Sequence, residues 1–130
     1  MFAAVVAFSL LLASVETLSC EGMYEYSWYE GPIWIGSRYN TWDSYECTDK
    51  TLNRCAHIRD FPRSKFNELD GYKLQEDYFS AADIFNGAVS AKMCVSEQDC
   101  TAIGASNSAN CINATSACCC SDSQCNRSIL

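Results

Sequence analysis

The sequence predicts a small, disulfide-rich, mainly β domain, and three observations carry that expectation. Ten cysteines in 130 residues point to a covalently stapled scaffold rather than to an ordinary apolar core. An apolar N-terminus routes the chain to a compartment where those cysteines oxidise. Aromatic and β-branched stretches are broken at Gly31-Pro32 and Asn86-Gly87, the punctuation of hairpins. The length allows one domain.

Residues 2–15 form an apolar run that ends in small and polar residues before Cys20, the pattern of a secretory signal peptide. The run has no Lys or Arg before it, so the α-amino group supplies the positive charge. Cleavage is expected between Ala13 and Ser19, after Thr17, leaving residues 18–130 as the mature domain. As an uncleaved anchor the run falls short of the ~20 apolar residues that span a bilayer. Its removal takes Glu16 but no cysteine, so an even number of thiols is exported and all can pair. No second long apolar segment follows, and Ile129-Leu130 closes the chain shortly after Cys125, without the spacer and tail of a glycolipid anchor. The expectation is a secreted, extracellular protein with no membrane anchor.

The formal net charge is -7, which becomes -6 once Glu16 leaves, with fifteen acids against nine bases. That balance disfavours nucleic acid and anionic lipid as partners. A basic partner surface and a merely solvated acidic surface are both compatible with it.

Taken in order, residues 23–29 and 33–45 read as the two arms of a first hairpin around Glu30-Gly31-Pro32. Residues 56–61 read as a strand ended by Pro62. Residues 64–69 suggest a turn of helix, capped by Ser64 and stopped at Gly71. Asn86-Gly87, between residues 82–85 and 88–93, predicts a second hairpin because both residues tolerate positive φ, with a helical insertion near its tip. From Cys100 to Cys118 the chain is mostly Thr, Ala, Ser, Asn and Gly, a polar loop that only disulfides would hold.

Cys20, Cys47 and Cys55 are spread along the first half, whereas Cys94, Cys100, Cys111, Cys118, Cys119, Cys120 and Cys125 crowd the end. The most specific motif is Cys119-Cys120-Ser-Asp-Ser-Gln-Cys125-Asn126. Adjacent cysteines on a strand point to opposite sides, so each must staple a different segment. Cys120 and Cys125 are spaced to close a small loop.

This ending resembles that of the three-finger family, which includes lymphocyte-antigen-six proteins, the urokinase receptor and snake toxins. Leu18-Ser19-Cys20 is similar to the family's opening, and the third consecutive cysteine, Cys118, resembles the nematode variant called the ET module. The resemblance implies three hairpin fingers leaving a cystine-knot-like core, with a short helix in the middle finger. It implies Cys20–Cys55, Cys47–Cys94, Cys100–Cys119 and Cys120–Cys125 bonds, out of on the order of nine hundred possible pairings. Cys111 and Cys118 then remain as an extra staple in the third finger. It also implies a structural role for Asn126, whose side chain would hydrogen-bond backbone near the knot. Two features depart from the family: residues 21–46 lack the usual second cysteine, and the middle segment is long.

Little in the sequence points to catalysis or to a cofactor. His57 is the only histidine, with Asp60 three residues on, and no nucleophile elbow, zinc-protease motif or Ca²⁺ loop is present. Secreted phospholipases carry an active-site His-Asp after a vicinal Cys pair; here Ser121-Asp122 follows. Zinc at Cys94, Cys100, Cys111 and Cys118 to Cys120 lacks the Cys-x₂-Cys spacing and would compete with oxidation, so no metal is expected.

Trp28, Tyr29, Trp34, Tyr39 and Trp42 are expected to fill the core of a thin domain, except near residues 30–34, where a finger tip would expose them. Glu30, Ile33 and Trp34 are therefore the candidate partner contacts. Asn113, in the sequon Asn113-Ala-Thr115, is the glycosylation candidate; Asn126, in Asn126-Arg-Ser128, is committed to the knot. The function expected is that of a secreted binding protein, and the resemblance implies a receptor or channel as the protein partner. The alternative is a structural or surface-coat protein without a specific ligand.

Overall fold

The computed structural model describes residues 17–30, 32–75 and 87–127. The expected signal peptide up to Glu16, the 82–85 arm and tip of the second hairpin, and Ser128 of the second sequon lie outside the described residues.

The strands β1 (Ser19–Glu30), β2 (Ile33–Glu46), β3 (Arg54–Pro62), β4 (Gly87–Val95), β5 (Ser106–Asn107) and β6 (Cys118–Cys120) form one sheet in the order β2-β1-β4-β3-β6-β5. All neighbours are antiparallel except β5 and β6. The protein is thus a small, mainly β, disulfide-bonded domain. β1 and β2 make the expected first hairpin, closing at Glu30 opposite Ile33. Strand periodicity is visible in β1, where Tyr24 and Tyr26 are buried and Glu25 between them is exposed.

β4 is central. Val89, Ala91, Met93, Cys94 and Val95 are all fully buried, because β1 and β3 flank the strand and both its faces are covered. Gly87 opens it where β1 passes close by: a Cβ there would stand 2.2 Å from the carbonyl oxygen of Ser27. The described partners of β4 are β1 and β3.

Among the described residues between β3 and β4 lie two short helices, α1 (Arg63–Phe66) and α2 (Asp70–Lys73). The expected helical turn is present, but two of its details are corrected. Pro62, not Ser64, holds the N-cap position, with no side-chain cap. Gly71 does not stop the helix but sits inside α2, because only a residue without Cβ lets α2 lie on β4. A Cβ at Gly71 would meet the carbonyl oxygen of Cys94 at 2.7 Å and Met93 Cε at 2.9 Å. Gln75 closes the end of α2, its side-chain amide donating to the carbonyls of Gly71 and Cys94, both at 2.8 Å.

α1 delivers Phe66, fully buried, to a ring cluster with Tyr24 (6.0 Å between centroids) and Tyr72 (5.4 Å). The guanidinium of buried Arg63 lies 5.5 Å from the Tyr72 ring centre, a cation–π contact. Among the described side chains, Tyr24, Tyr26, Tyr45 and Phe66 are the buried aromatic members of the core. Tyr39, expected inside, is 67% exposed. It lies on edge strand β2 opposite exposed Glu25, a part of the sheet face that nothing described covers. The side chains of Trp28, Tyr29, Trp34 and Trp42 lie outside the described set.

The stretch from Cys100 to Cys118, expected as a polar loop that only disulfides would hold, instead begins inside a helix and carries β5, which pairs with β6. Residues Glu97–Ala102 form α3, started by a capping box in which the Ser96 hydroxyl accepts from the Asp99 amide and the Asp99 carboxylate accepts from the Ser96 amide. Gly104, at φ 65°, takes the left-handed conformation just past its end.

Candidate functional site

The five disulfides are Cys20–Cys55, Cys47–Cys94, Cys100–Cys119, Cys111–Cys118 and Cys120–Cys125, and no cysteine is free. These pairs coincide one for one with those the family resemblance implies. Register explains how they fit together. Cys94, Cys55 and Cys120 stand side by side on β4, β3 and β6, and each bonds outward to a different segment. On β6 the neighbours diverge as strand geometry demands: Cys119 reaches Cys100 on α3, Cys118 reaches Cys111, and Cys120 closes on Cys125. The sulfurs of Cys20, Cys47 and Cys94 lie within 4.8 Å of one another. All three are spent in S–S bonds, so none is a thiolate able to ligate a metal.

Asn126 is fully buried at the centre of this knot. Its Oδ1 accepts from the amide of Glu21 at 2.9 Å, and its Nδ2 donates to the carbonyls of Glu21 (3.1 Å) and Ala56 (3.0 Å). One side chain thus ties β1 to β3 while the Cys120–Cys125 bond holds its backbone. Gln124, at φ 61°, adds a second clasp: its amide donates to the carbonyl of Ser19 at 2.8 Å and its side chain to the hydroxyls of Ser19 and Ser44.

Beside Asn126, whose side chain bonds the Glu21 backbone, lies a partly buried ion pair. Lys92 Nζ and Glu21 Oε2 are 3.0 Å apart. His57 pairs with Lys92 across β3 and β4 and is 8% exposed. Its Nδ1 is 3.5 Å from Arg59 Nη2. Burial first, then the Arg59 and Lys92 charges, push its pKa down to about 4, so it is neutral at physiological pH. Asp60, three residues on, sits in a β-bulge at φ 48°, its amide donating to Ser90 Oγ at 3.0 Å. Arg59 Nη2 also donates to the carbonyl of Ala114 at 2.7 Å, anchoring the loop that carries Asn113, which is exposed.

A surface depression of about 370 Å³ lies between α1, α2 and α3, with Phe61, Lys65, Asp70 and Asp99 in its wall. The Asp99 carboxylate is committed to structure: it accepts from the amides of Asp70 (2.8 Å), Gly71 (2.8 Å) and Ser96 (3.1 Å). It thereby holds α2 and α3 together. Sequence reasoning passed over Asp99, although the Ser96-x-x-Asp99 spacing before a helical stretch is a capping-box signal. Gln124 and the Lys92–Glu21 pair had no such signal, since their partners are about seventy or more residues away.

At the opposite pole from the knot the first hairpin presents its end. Glu30 is exposed and Ile33, its cross-strand partner, is 64% exposed. Trp34 follows on β2, opposite Tyr29. Glu25, Asp43 and Glu46 of the same hairpin are exposed as well. Among the described residues no helix is long and apolar enough to cross a membrane. No protein-family model, curated protein or solved structure matches the chain.

Proposed function

We propose that the protein is secreted, is a three-finger-like member of the group its ending resembles, and acts as a binding module rather than an enzyme. In this reading the first hairpin engages a receptor or channel through Glu30, Ile33 and Trp34. The observation that carries it is the separation of rigidity from exposure. Five disulfides and the buried Asn126 lock one end of the sheet, while the far end offers a solvent-exposed aliphatic residue, Ile33, beside an acid. Rigid scaffolds presenting a few exposed anchors at loop tips are how small stapled domains recognise proteins. The single histidine, neutral and held against two cations, is poorly placed for general-base chemistry. Asn113, on an exposed turn, is the glycosylation site of this reading.

The test is equilibrium binding of labelled, correctly oxidised protein to a panel of cells. Saturable binding that falls about tenfold in a Glu30→Ala/Ile33→Ala/Trp34→Ala variant with unchanged circular dichroism supports the proposal. Non-saturable binding throughout the panel favours a coat role. Glycosidase treatment of secreted protein reduces the mass of the wild type but not of Asn113→Gln.

A further inference from the structure

We propose that Asn126 is a conditional N-glycosylation site, closed to sugar in the folded chain and open in one whose distant segments have not yet met, so that a glycan there marks and holds the unfolded chain. The proposal rests on the reading that the chain is exported. Asn126-Arg-Ser128 is a complete acceptor sequon, and Asn113-Ala-Thr115 is the other Asn-x-Ser/Thr site. Asn126 is also 0% exposed, which sets two uses of one side chain against each other.

The conflict lies at one atom. Nδ2 of an asparagine carries two hydrogens, and here it donates to two carbonyls, those of Glu21 at 3.1 Å and Ala56 at 3.0 Å. Glycosyl transfer joins Nδ2 to the anomeric carbon of an oligosaccharide carried on a lipid pyrophosphate. The anomeric carbon–oxygen bond breaks, the lipid pyrophosphate leaves, and Nδ2 gives up one proton. The product keeps a single N–H for the two carbonyls, and its sugar would have to fit where no solvent reaches. A glycan is bulky and belongs at a surface, and a buried carbonyl left without a donor is unfavourable. Glycosylated Asn126 therefore cannot take its native seat, and seated Asn126 cannot be glycosylated.

Long-range assembly builds that seat. Its hydrogen-bond partners Glu21 and Ala56 lie 105 and 70 residues away in the chain. The flanking backbone is fastened by other segments too: the Gln124 amide donates to the carbonyl of Ser19, and the Cys125 carbonyl accepts from the amide of Cys111, both at 2.8 Å. The Cys120–Cys125 bond holds this turn to β6, where Cys120 stands opposite Cys55 on β3. Burial of Asn126 thus requires β1, β3 and the Cys120–Cys125 loop to be in place together. Asn113 provides the contrast, because it is exposed in the folded protein and its occupancy carries no such information.

The experiment expresses the full chain in cultured secretory cells, with and without dithiothreitol, beside a Cys120→Ser/Cys125→Ser variant. Glycosidase treatment in heavy-oxygen water converts each glycosylated Asn to labelled Asp, and peptide mass spectrometry reads Asn113 and Asn126 separately. The expected result is a secreted, oxidised wild type occupied at Asn113 and empty at Asn126. In the reduced cells and in the variant, Asn126 passes from empty to occupied in the majority of chains, and Ser128→Ala abolishes that glycan in every arm. Reduced chains bearing it do not regain slow exchange of the Glu21 amide on reoxidation, whereas chains without it do. Occupied Asn126 in secreted protein whose Glu21 amide is protected overturns the proposal. So does empty Asn126 in reduced cells where Asn113 is filled, and in both cases the export reading stands. No glycan at either site in any arm fails the export reading and this proposal with it.

Discussion

Replacing Asn126 by Ala removes the side chain that joins β1 to β3, and its cost follows from three hydrogen bonds. The amide of Glu21 and the carbonyls of Glu21 and Ala56 each lose a partner at a fully buried position. A net contribution of ~1 kcal/mol per bond, raised where a buried group is left unsatisfied, makes the loss about 3–5 kcal/mol. That is a large share of the ~5–15 kcal/mol typical of a domain. The assay is urea unfolding with the disulfides intact, followed by near-ultraviolet circular dichroism. With a slope of ~1.5 kcal/mol per molar, the midpoint falls by about 2 M or more. Asn126→Asp sharpens the test, because a carboxylate cannot donate to the two carbonyls. Its folded-state pKa is raised, so any stability it retains is present below ~3.9 and is lost as pH rises through the folded value. Relative to wild type at the same pH, the Asp variant is weaker at pH 7 than at pH 3. A midpoint shift in Asn126→Ala worth less than about 1 kcal/mol would show that the cystine bonds alone hold the knot.

Asp99→Ala frees the amides of Asp70, Gly71 and Ser96 and should cost about 3 kcal/mol; faster exchange of those three amides is the readout, and unchanged rates refute the role. His57, with a folded pKa of about 4 against an ordinary 6.5, contributes stability that is complete above pH 6.5 and lost as pH falls toward 4. The loss amounts to about 2 kcal/mol after solvent screening, and an NMR titration of the ring with a midpoint near 6.5 would contradict it. Disulfides should rank by the loop they close. The Cys111–Cys118 separation of 7 and the Cys47–Cys94 separation of 47 correspond to about 2.4 and about 4 kcal/mol of chain entropy. Cys111→Ser/Cys118→Ser therefore remains folded at a higher temperature than Cys47→Ala/Cys94→Ala, and the reverse order would count against loop closure as the main term.

Local chemistry was legible. The Gly31-Pro32 break between aromatic arms located the first hairpin, and Pro62 marked the end of β3, because turn residues act through their own φ and missing N–H groups. Ser64 and Gly71 misled for one reason: a cap and a stop are local preferences, and packing against β4 overrode them. α2 settles on the sheet where Gly71 has no Cβ, and its end is closed by Gln75 reaching Cys94. Tyr39 misled because a strong β residue reads the same on an edge as in a centre, and only sheet order exposes it.

By itself, the sequence determined that the chain is small, β-rich and covalently stapled, since cysteine number and strand-forming composition are properties of the residues. The tertiary structure decided which strands are neighbours, that β4 is buried between β1 and β3, and that β2 is an edge. It also brought Glu21, Ala56 and Asn126 together from three distant segments. Such contacts depend on the simultaneous placement of the whole sheet, and a one-dimensional pattern carries no term for a partner a hundred residues away.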